Sequence, residues 1–409
     1  MSGTFGRDFY GAGLYGRSSP SFPVNVPTQI HVWDVNLNFK AVYQVGSCAL
    51  ISMEFAHGVK GCQDFSLQFA ESVDIAKNDR IKINLFNSSQ YFYTGVVRTI
   101  PIPGSTKKGF EYSGFGFNDY FQRLNTGYLS YASKSIAYIL MDVINNVLLL
   151  KSPILYSNDR INPPNITITS MIANYGQVND VFDALVKIAN STGTEYNCGV
   201  DKDGYIFFLP RSEDTKVILT VGRSGKYGIQ SYEPEDKNEA RTKIILLDKD
   251  GNYITTLNST LPNETWEEKV AAPDISNADA LLWGMGILAD KERTTRSASI
   301  EWLIENIDPE VLVADGFIRV ISNIPPIKQT TISGVCAGDG LAGDGLAGGM
   351  VAPGWITLDD TLAIKQVKYK VNGKKVARSI ELGALPLRVE NFVNDINQKL
   401  TDLKINLGV

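Results

Sequence analysis

Apolar and polar residues alternate along several short runs of this chain. Phe65, Leu67 and Phe69 alternate with polar neighbours, the two-residue period of a half-buried strand. The run 79–85, Asp-Arg-Ile-Lys-Ile-Asn-Leu, repeats the pattern, and 87–90 supplies a turn. The run 91–98 is aromatic and β-branched with Gly95 inside it, a sign of a bulge or a bend. The run 110–115 continues the series. Short strands separated by turns predict a small antiparallel barrel over 30–125.

The period then changes. Ser133 or Ser135 can cap a helix that places Ile136, Ile139, Leu140, Val143 and Val147 on one face. A second helix starts at Asn179-Asp180, carries Phe182, Leu185, Val186 and Ala189 inward, and ends near Gly193. A hairpin follows, 196–200 and 205–209, around the turn Asp201-Lys202-Asp203-Gly204. From 241 strands return. Those at 243–247 and 253–257 flank a second Asp-Lys-Asp-Gly turn, 248–251. A helix over 277–291 is weakened by Gly284 and Gly286. Runs at 298–304, 316–322, 363–371 and 375–382 complete an expected second barrel.

Three segments stand outside these patterns. Residues 1–29 form a Gly/Tyr/Pro-rich arm whose composition builds no core. Ala-Gly-Asp-Gly-Leu at 337–341 repeats at 342–346, giving a Gly-rich insertion over 337–349. Over 386–409, Val389, Val393, Ile396, Leu400, Leu403 and Leu407 fall at heptad spacing. These six residues either form the seam of a short coiled coil or face the chain's own domain. If strands pair, Ile396 and Leu400 favour three or four over two. The expected fold class is α+β, mainly β. Two small antiparallel β-barrels (30–125 and 241–385) flank an α/β module (126–240), and a C-terminal amphipathic helix follows.

Composition narrows the function. A length of 409 residues calls for about two to four domains. The net charge of −5 offers no basic footprint for gripping nucleic acid. The start carries no basic segment leading into an apolar run. The most apolar stretch, 136–150, is interrupted by Asp142, Asn145 and Asn146 and is too short for a span. Neither the usual export route nor stable membrane insertion is therefore expected.

Catalytic chemistry is thinly represented. Cys48, Cys62, Cys198 and Cys336 form no CxxC pair. Reduced thiols are expected, although Cys48 and Cys62 are spaced to span a hairpin. The two histidines, His31 and His57, lack partner motifs and read as structural. The carboxylate pairs Glu233/Glu235/Asp236, Glu267/Glu268 and Glu301/Glu305 would need to oppose each other across a cleft to cleave a glycoside. Neither Asp-Lys-Asp-Gly turn has the ligand ladder of a calcium loop. The expectation is no catalytic residue, no cofactor and no metal.

The order of these elements resembles the baseplate hub proteins of phage tails and the related spikes of type VI secretion. The resemblance covers 30–385. It is carried by Asp79-Arg80-Ile81-Lys82-Ile83 and by Tyr93-Thr94-Gly95-Val96-Val97-Arg98 in the first barrel. The module's Tyr205-Ile206-Phe207-Phe208-Leu209-Pro210-Arg211 adds to it. In the second barrel the matching runs are 314–320, 364–369 and 378–383. The arm and the Gly-rich insertion have no counterpart in the family pattern. The resemblance implies a structural, non-enzymatic virion protein of the tail baseplate, assembled in the host cytoplasm. It implies a homotrimer whose two barrels per chain make a pseudo-six-fold ring. Its implied partners are the tail tube or distal tail ring, a central spike or fibre protein, and the tape-measure protein. DNA would pass through at ejection without specific binding. Two alternatives stand beside it. One is a receptor- or carbohydrate-binding tail component using aromatics such as Trp266, Tyr253 or Trp355. The other is a cell-wall-cleaving tail enzyme.

Overall fold

A computed structural model describes residues 28–45, 50–85, 90–102, 109–221, 228–229, 235–237, 241–259, 266–291, 295–304, 314–324, 356–372 and 375–383. The arm up to residue 27, Cys48, the insertion 337–349, Trp355 and the heptad residues Val389, Val393, Ile396, Leu400, Leu403 and Leu407 lie outside these.

The described residues are mainly strand with a few helices, an α+β architecture. The first region holds β1 (Gln29–Trp33), β2 (Phe39–Gln44), β3 (Leu50–Gly58), β4 (Gly61–Phe69), β5 (Arg80–Asn84), β6 (Tyr93–Thr99) and β7 (Phe110–Gly116). Alternation decides which faces turn inward. Ile30 and Val32 of β1 and Ile81 and Ile83 of β5 are fully buried, while His31, Trp33, Arg80 and Lys82 take the outer face. A short helix α1 (Asp119–Arg123) follows.

The α/β region begins with β8 (Tyr128–Ser135), which runs straight into α2 (Ile136–Val143). The Ser135 side chain caps α2 by accepting from the Tyr138 amide at 3.2 Å. A π-helical turn (Ile144–Leu148) and α3 (Leu149–Lys151) continue it. All five apolar residues expected on the inner face, from Ile136 to Val147, are buried. Next come β9 (Thr167–Asn174), paired with β8, then α4 (Val178–Asn190) and the hairpin β10 (Tyr196–Val200) and β11 (Ile206–Pro210).

After β12 (Thr215–Val221), β13 (Gly228–Ile229) and β14 (Glu235–Lys237), the chain builds β15 (Lys243–Leu247), β16 (Tyr253–Asn258), β17 (Glu267–Ala271) and α5 (Asn277–Lys291). The expected second barrel was to include this segment. Instead β16-β15-β17 is a separate three-stranded sheet. Its helix α5 packs on α4. Asp279, 2 % exposed, anchors α5 to β9 by accepting from the Thr169 amide at 2.9 Å and the Ser170 amide at 3.0 Å. The two glycines that weaken α5 by propensity have a packing reason. A Cβ on Gly286 would lie 1.9 Å from the Lys187 carbonyl oxygen of α4, so only glycine lets the helices close.

The last strands are β18 (Thr295–Ile304), β19 (Phe317–Ile324), β20 (Ile356–Asn372) and β21 (Lys375–Gly383). They join the first region in one sheet, ordered β13-β12-β19-β20-β3-β4-β7-β6-β5-β1-β2. The link is β20. It pairs with β19 through Ala363, with β3 from Gln366, and with β21 on its other edge. Its register shifts between Ile364 and Gln366. The shift flips side-chain parity, so Leu362 and Ile364 before it and Val367, Tyr369 and Val371 after it all enter the core.

That core is common to both strand-rich regions. Phe55, Phe65 and Tyr93 of the first belong to one cluster with Leu219, Ile318, Val320, Tyr369 and Ile380. Phe55 and Tyr369 stack with ring centroids 4.9 Å apart and planes 11° apart. Replacing Tyr369 with Ala should therefore cost about 3–5 kcal/mol. Hydrogen exchange should quicken in β3 and in β21 together. Loss of protection confined to β19–β21 would show that the regions are energetically independent.

Candidate functional site

Three parts of the chain meet at the turn between β3 and β4. The hairpin β10–β11 crosses it backbone to backbone: Val200 pairs with Gly61, and its amide donates to the Lys60 carbonyl at 3.0 Å. A Cβ on Gly61 would lie 1.7 Å from the Val200 oxygen, and one on Gly199 would lie 1.9 Å from the Lys60 oxygen. Both positions therefore require glycine. Asn118 clamps the crossing. Its Nδ2 donates to the carbonyls of Lys60 and Cys62, and its Oδ1 accepts from the Val200 amide at 2.6 Å. Lys60 in turn reaches α4 through Asp183 at 2.7 Å. The third part arrives at Arg211, which pairs with Glu195 and donates to the Ile364 carbonyl at 2.7 Å, beside the register shift of β20.

A cleft of about 370 Å³ opens at this junction, lined by His57, Arg160, Asp201, Lys202, Asp203 and Asp315 among others. Its charged groups face one another. Arg160 pairs with Asp201, Lys202 with Asp203, and Asp315 accepts from the Ser212 amide at 3.0 Å. A neighbouring cleft of about 490 Å³ has the same character. There Lys60–Asp183, Lys187–Asp290 and Arg211–Glu195 are internal pairs.

The fold brings together two residues that sequence spacing left apart. Cys62 Sγ lies 3.8 Å from His57 Nδ1, because the residues are cross-strand partners on β3 and β4. Both are about 1 % exposed. Burial pushes the thiol up to about 12 and the imidazole down to about 4. Near neutral pH both are uncharged, which is the opposite of a thiolate–imidazolium nucleophile. Cys62 and Cys198 carry free thiols.

The candidate carboxylate pairs fare similarly. Glu267 and Glu268 are the only complete pair with described side chains, and they sit at successive positions of β17. Glu267 pairs with Lys243, and Glu268 with Lys291 and Arg241. Glu233 and Glu305 lie outside the described residues. The two Asp-Lys-Asp-Gly turns are built alike. Asp201 Oδ1 accepts from the amides of Asp203 and Tyr205, and Asp248 Oδ1 from those of Asp250 and Asn252. Gly204 and Gly251 take φ of +93° and +85°. These carboxylates hold turns. Among the described residues no three His, Cys, Asp or Glu side chains gather as metal ligands.

The exposed aromatics proposed for a sugar groove do not converge. Tyr253 pairs beside Leu247 and Trp266 lies beside Lys243, at opposite ends of β15 and on strands flanking opposite edges. A different aromatic group sits on the outer face of β1. His31, Trp33, Phe39 and Tyr91 lie with successive ring centroids 5.6–6.5 Å apart, and Lys82 Nζ sits 5.0 Å from the Tyr91 ring centre. Alternation around Ile30 and Val32 already signals that His31 and Trp33 face outward. Their company with Tyr91 comes from β5 pairing beside β1.

No family model matches this sequence, and no curated protein sequence does. Solved structures do match. A tail protein from Neisseria meningitidis MC58 aligns over 88 % of this chain and 98 % of its own, with TM-score 0.60 and 11 % identity. The 43 kDa tail protein of prophage MuSo2 from Shewanella oneidensis aligns over 87 % and 98 %, with TM-score 0.57 and 10 % identity. The chain has the fold of phage tail proteins. A third such structure, prophage tail protein gp18 from Listeria monocytogenes EGD-e, gives TM-score 0.48 at 10 % identity over 91 % and 99 %. The alignments with the Neisseria and Shewanella tail proteins span the strand-rich regions together with the junction, well beyond a single subdomain.

The His57 pair yields a pH test. In the unfolded chain His57 takes a proton near its ordinary 6.5, whereas the folded site holds it neutral down to about 4. Between those values the unfolded state binds more protons, so this contribution to stability falls as pH falls. Urea titrations at pH 7, 6, 5 and 4.5 should show the native chain losing up to about 1.4 kcal/mol per pH unit more than His57→Gln. Equal slopes would contradict a neutral buried imidazole.

Proposed function

We propose that this chain is a structural hub of a phage tail baseplate. Three copies form a ring in which the two strand-rich regions of each chain supply six near-equivalent docking positions. The ring joins a six-fold tail tube, or a distal tail ring, to a three-fold central spike or fibre. It leaves an axial conduit for DNA and catalyses no reaction. The protein acts in the virion tail and is assembled in the host cytoplasm.

The observation that carries this reading is the tail-protein fold, shared over 98 % of the length of two tail proteins. Two further features support it. The strand-rich regions share one core, which gives the unit the stiffness a symmetry adaptor needs. The ionisable groups at the junction are consumed in holding the parts together. A net charge of −5 suits a wall past which DNA slides without sticking.

The C-terminal heptad residues Val389, Val393, Ile396, Leu400, Leu403 and Leu407 are assigned to the three-fold end. Light scattering should give three chain masses for the full chain, and a lower mass for a chain cut after Leu387. A single-chain mass in both forms would contradict a self-assembling hub.

A further inference from the structure

The hairpin β1–β2 presents along β2 a surface on which no other described strand pairs. Its outer face carries Trp33, whose ring meets Phe39 of β2 and Tyr91 beside β1. Val35, Leu37, Phe39 and Val42 are 58 %, 63 %, 58 % and 41 % exposed. Exposed apolar residues scattered singly need no explanation, but four on one hairpin, beside the half-buried Trp33 and Tyr91, form a patch. The β2 edge is also open: among the described residues β2 pairs with β1 alone and ends the sheet.

The tip that carries this patch is held rigidly. Asp34 Oδ1 accepts from the amides of Asn36 and Asn38, both at 2.8 Å, and Oδ2 accepts from the Asn38 side chain at 2.9 Å. Arg80 binds the Val35 carbonyl at 3.2 Å. Within this turn Leu37 takes φ +70°, a conformation suited to Gly or Asn. A bulky apolar side chain at a left-handed, solvent-facing position is the wrong residue for a free turn and the right one for a contact. Aromatic anchors on a preorganised strand edge are what a protein segment adding as a further strand requires.

We propose that the outer face and open edge of this hairpin receive the Gly/Tyr-rich segment 4–19 of a second copy of the chain. This rests on the reading that copies assemble. Two observations select that occupant. First, the arm joins β1 at Thr28, whose carbonyl accepts from the Val45 amide at the end of β2, so the arm leaves the described residues at the end of this hairpin. Second, the prolines are confined to the stretch nearest β1, at Pro20, Pro23 and Pro27. Residues 4–19 contain none, keep every backbone donor a strand needs, and carry Phe5, Phe9, Tyr10, Leu14 and Tyr15. The Pro-rich stretch between them spans up to about 28 Å at ~3.1 Å per residue, whereas a six-residue strand is about 20 Å long. That reach exceeds the length of the hairpin's own edge, so residues 4–19 are able to reach the edge of a neighbouring copy.

The test uses the full chain, a chain lacking residues 1–19, and the double variant Leu37→Asp, Phe39→Asp in the lacking-arm background. A fluorescein-labelled peptide of residues 1–19 should bind the armless chain by anisotropy, and at least tenfold more weakly to the double variant with an unchanged circular dichroism melt. Mixing ¹⁵N-labelled and unlabelled full chains with an amine-reactive crosslinker should link the Met1 amine to Lys82 or Lys40 in mixed-isotope pairs. Absence of peptide binding, or preferential binding of cell-wall glycan fragments at Trp33, overturns the proposal. Links confined to same-isotope pairs overturn it too, in favour of docking within one chain. A three-chain mass without peptide binding refutes this inference and leaves the hub reading standing. Mixed-isotope links in an assembly that is not trimeric do the reverse.

Discussion

The structure depends on one strand being shared by two regions. β20 gives its first half to β19, its second half to β3, and its far edge to β21. Hydrogen bonding alone would allow that. Burial on one face would not, because a strand passing from one sheet neighbourhood to the next must keep its apolar side inward. The register shift at Lys365 resolves the conflict. It changes which parity faces the core at the point where the partner changes. The Phe55–Tyr369 stack and the Arg211 bond to the Ile364 carbonyl then fix the two regions and the α/β module to that strand.

The local elements were legible because local rules govern them. β5 reads from the alternation of Ile81 and Ile83, α2 from the helical spacing of Ile136 to Val147, and both Asp-Lys-Asp-Gly turns from their glycines. The pairing of β20 with β3 was not legible. It joins residues some 300 positions apart, and the parity flip at Lys365 breaks the very alternation by which a strand is recognised. The segment 243–291 looked like barrel strands because a three-stranded sheet backed by α5 alternates in the same way. Gly286 looked like a defect in a helix until α4 was seen to need its missing Cβ. The His57–Cys62 contact is a cross-strand pair, so it depends on the β3–β4 register rather than on any motif.

The junction and the β1–β2 hairpin differ in character. At the junction, Lys60, Arg160 and Arg211 are paired with acids, and the ionisable pair His57–Cys62 is held neutral by burial. Outside, the rigid β1–β2 hairpin shows apolar and aromatic side chains to solvent. A junction whose charges serve cohesion and a sheet edge that carries an apolar patch suit the proposed role of a part that joins others. That division fits the tail-protein fold and a role in joining other parts of a tail.

The most direct test of the account is electron microscopy of the purified assembly. The account predicts a three-fold particle with six similar lobes around an open axial channel. Averages showing a single-chain particle, or a ring without three-fold symmetry or without a channel, would contradict it.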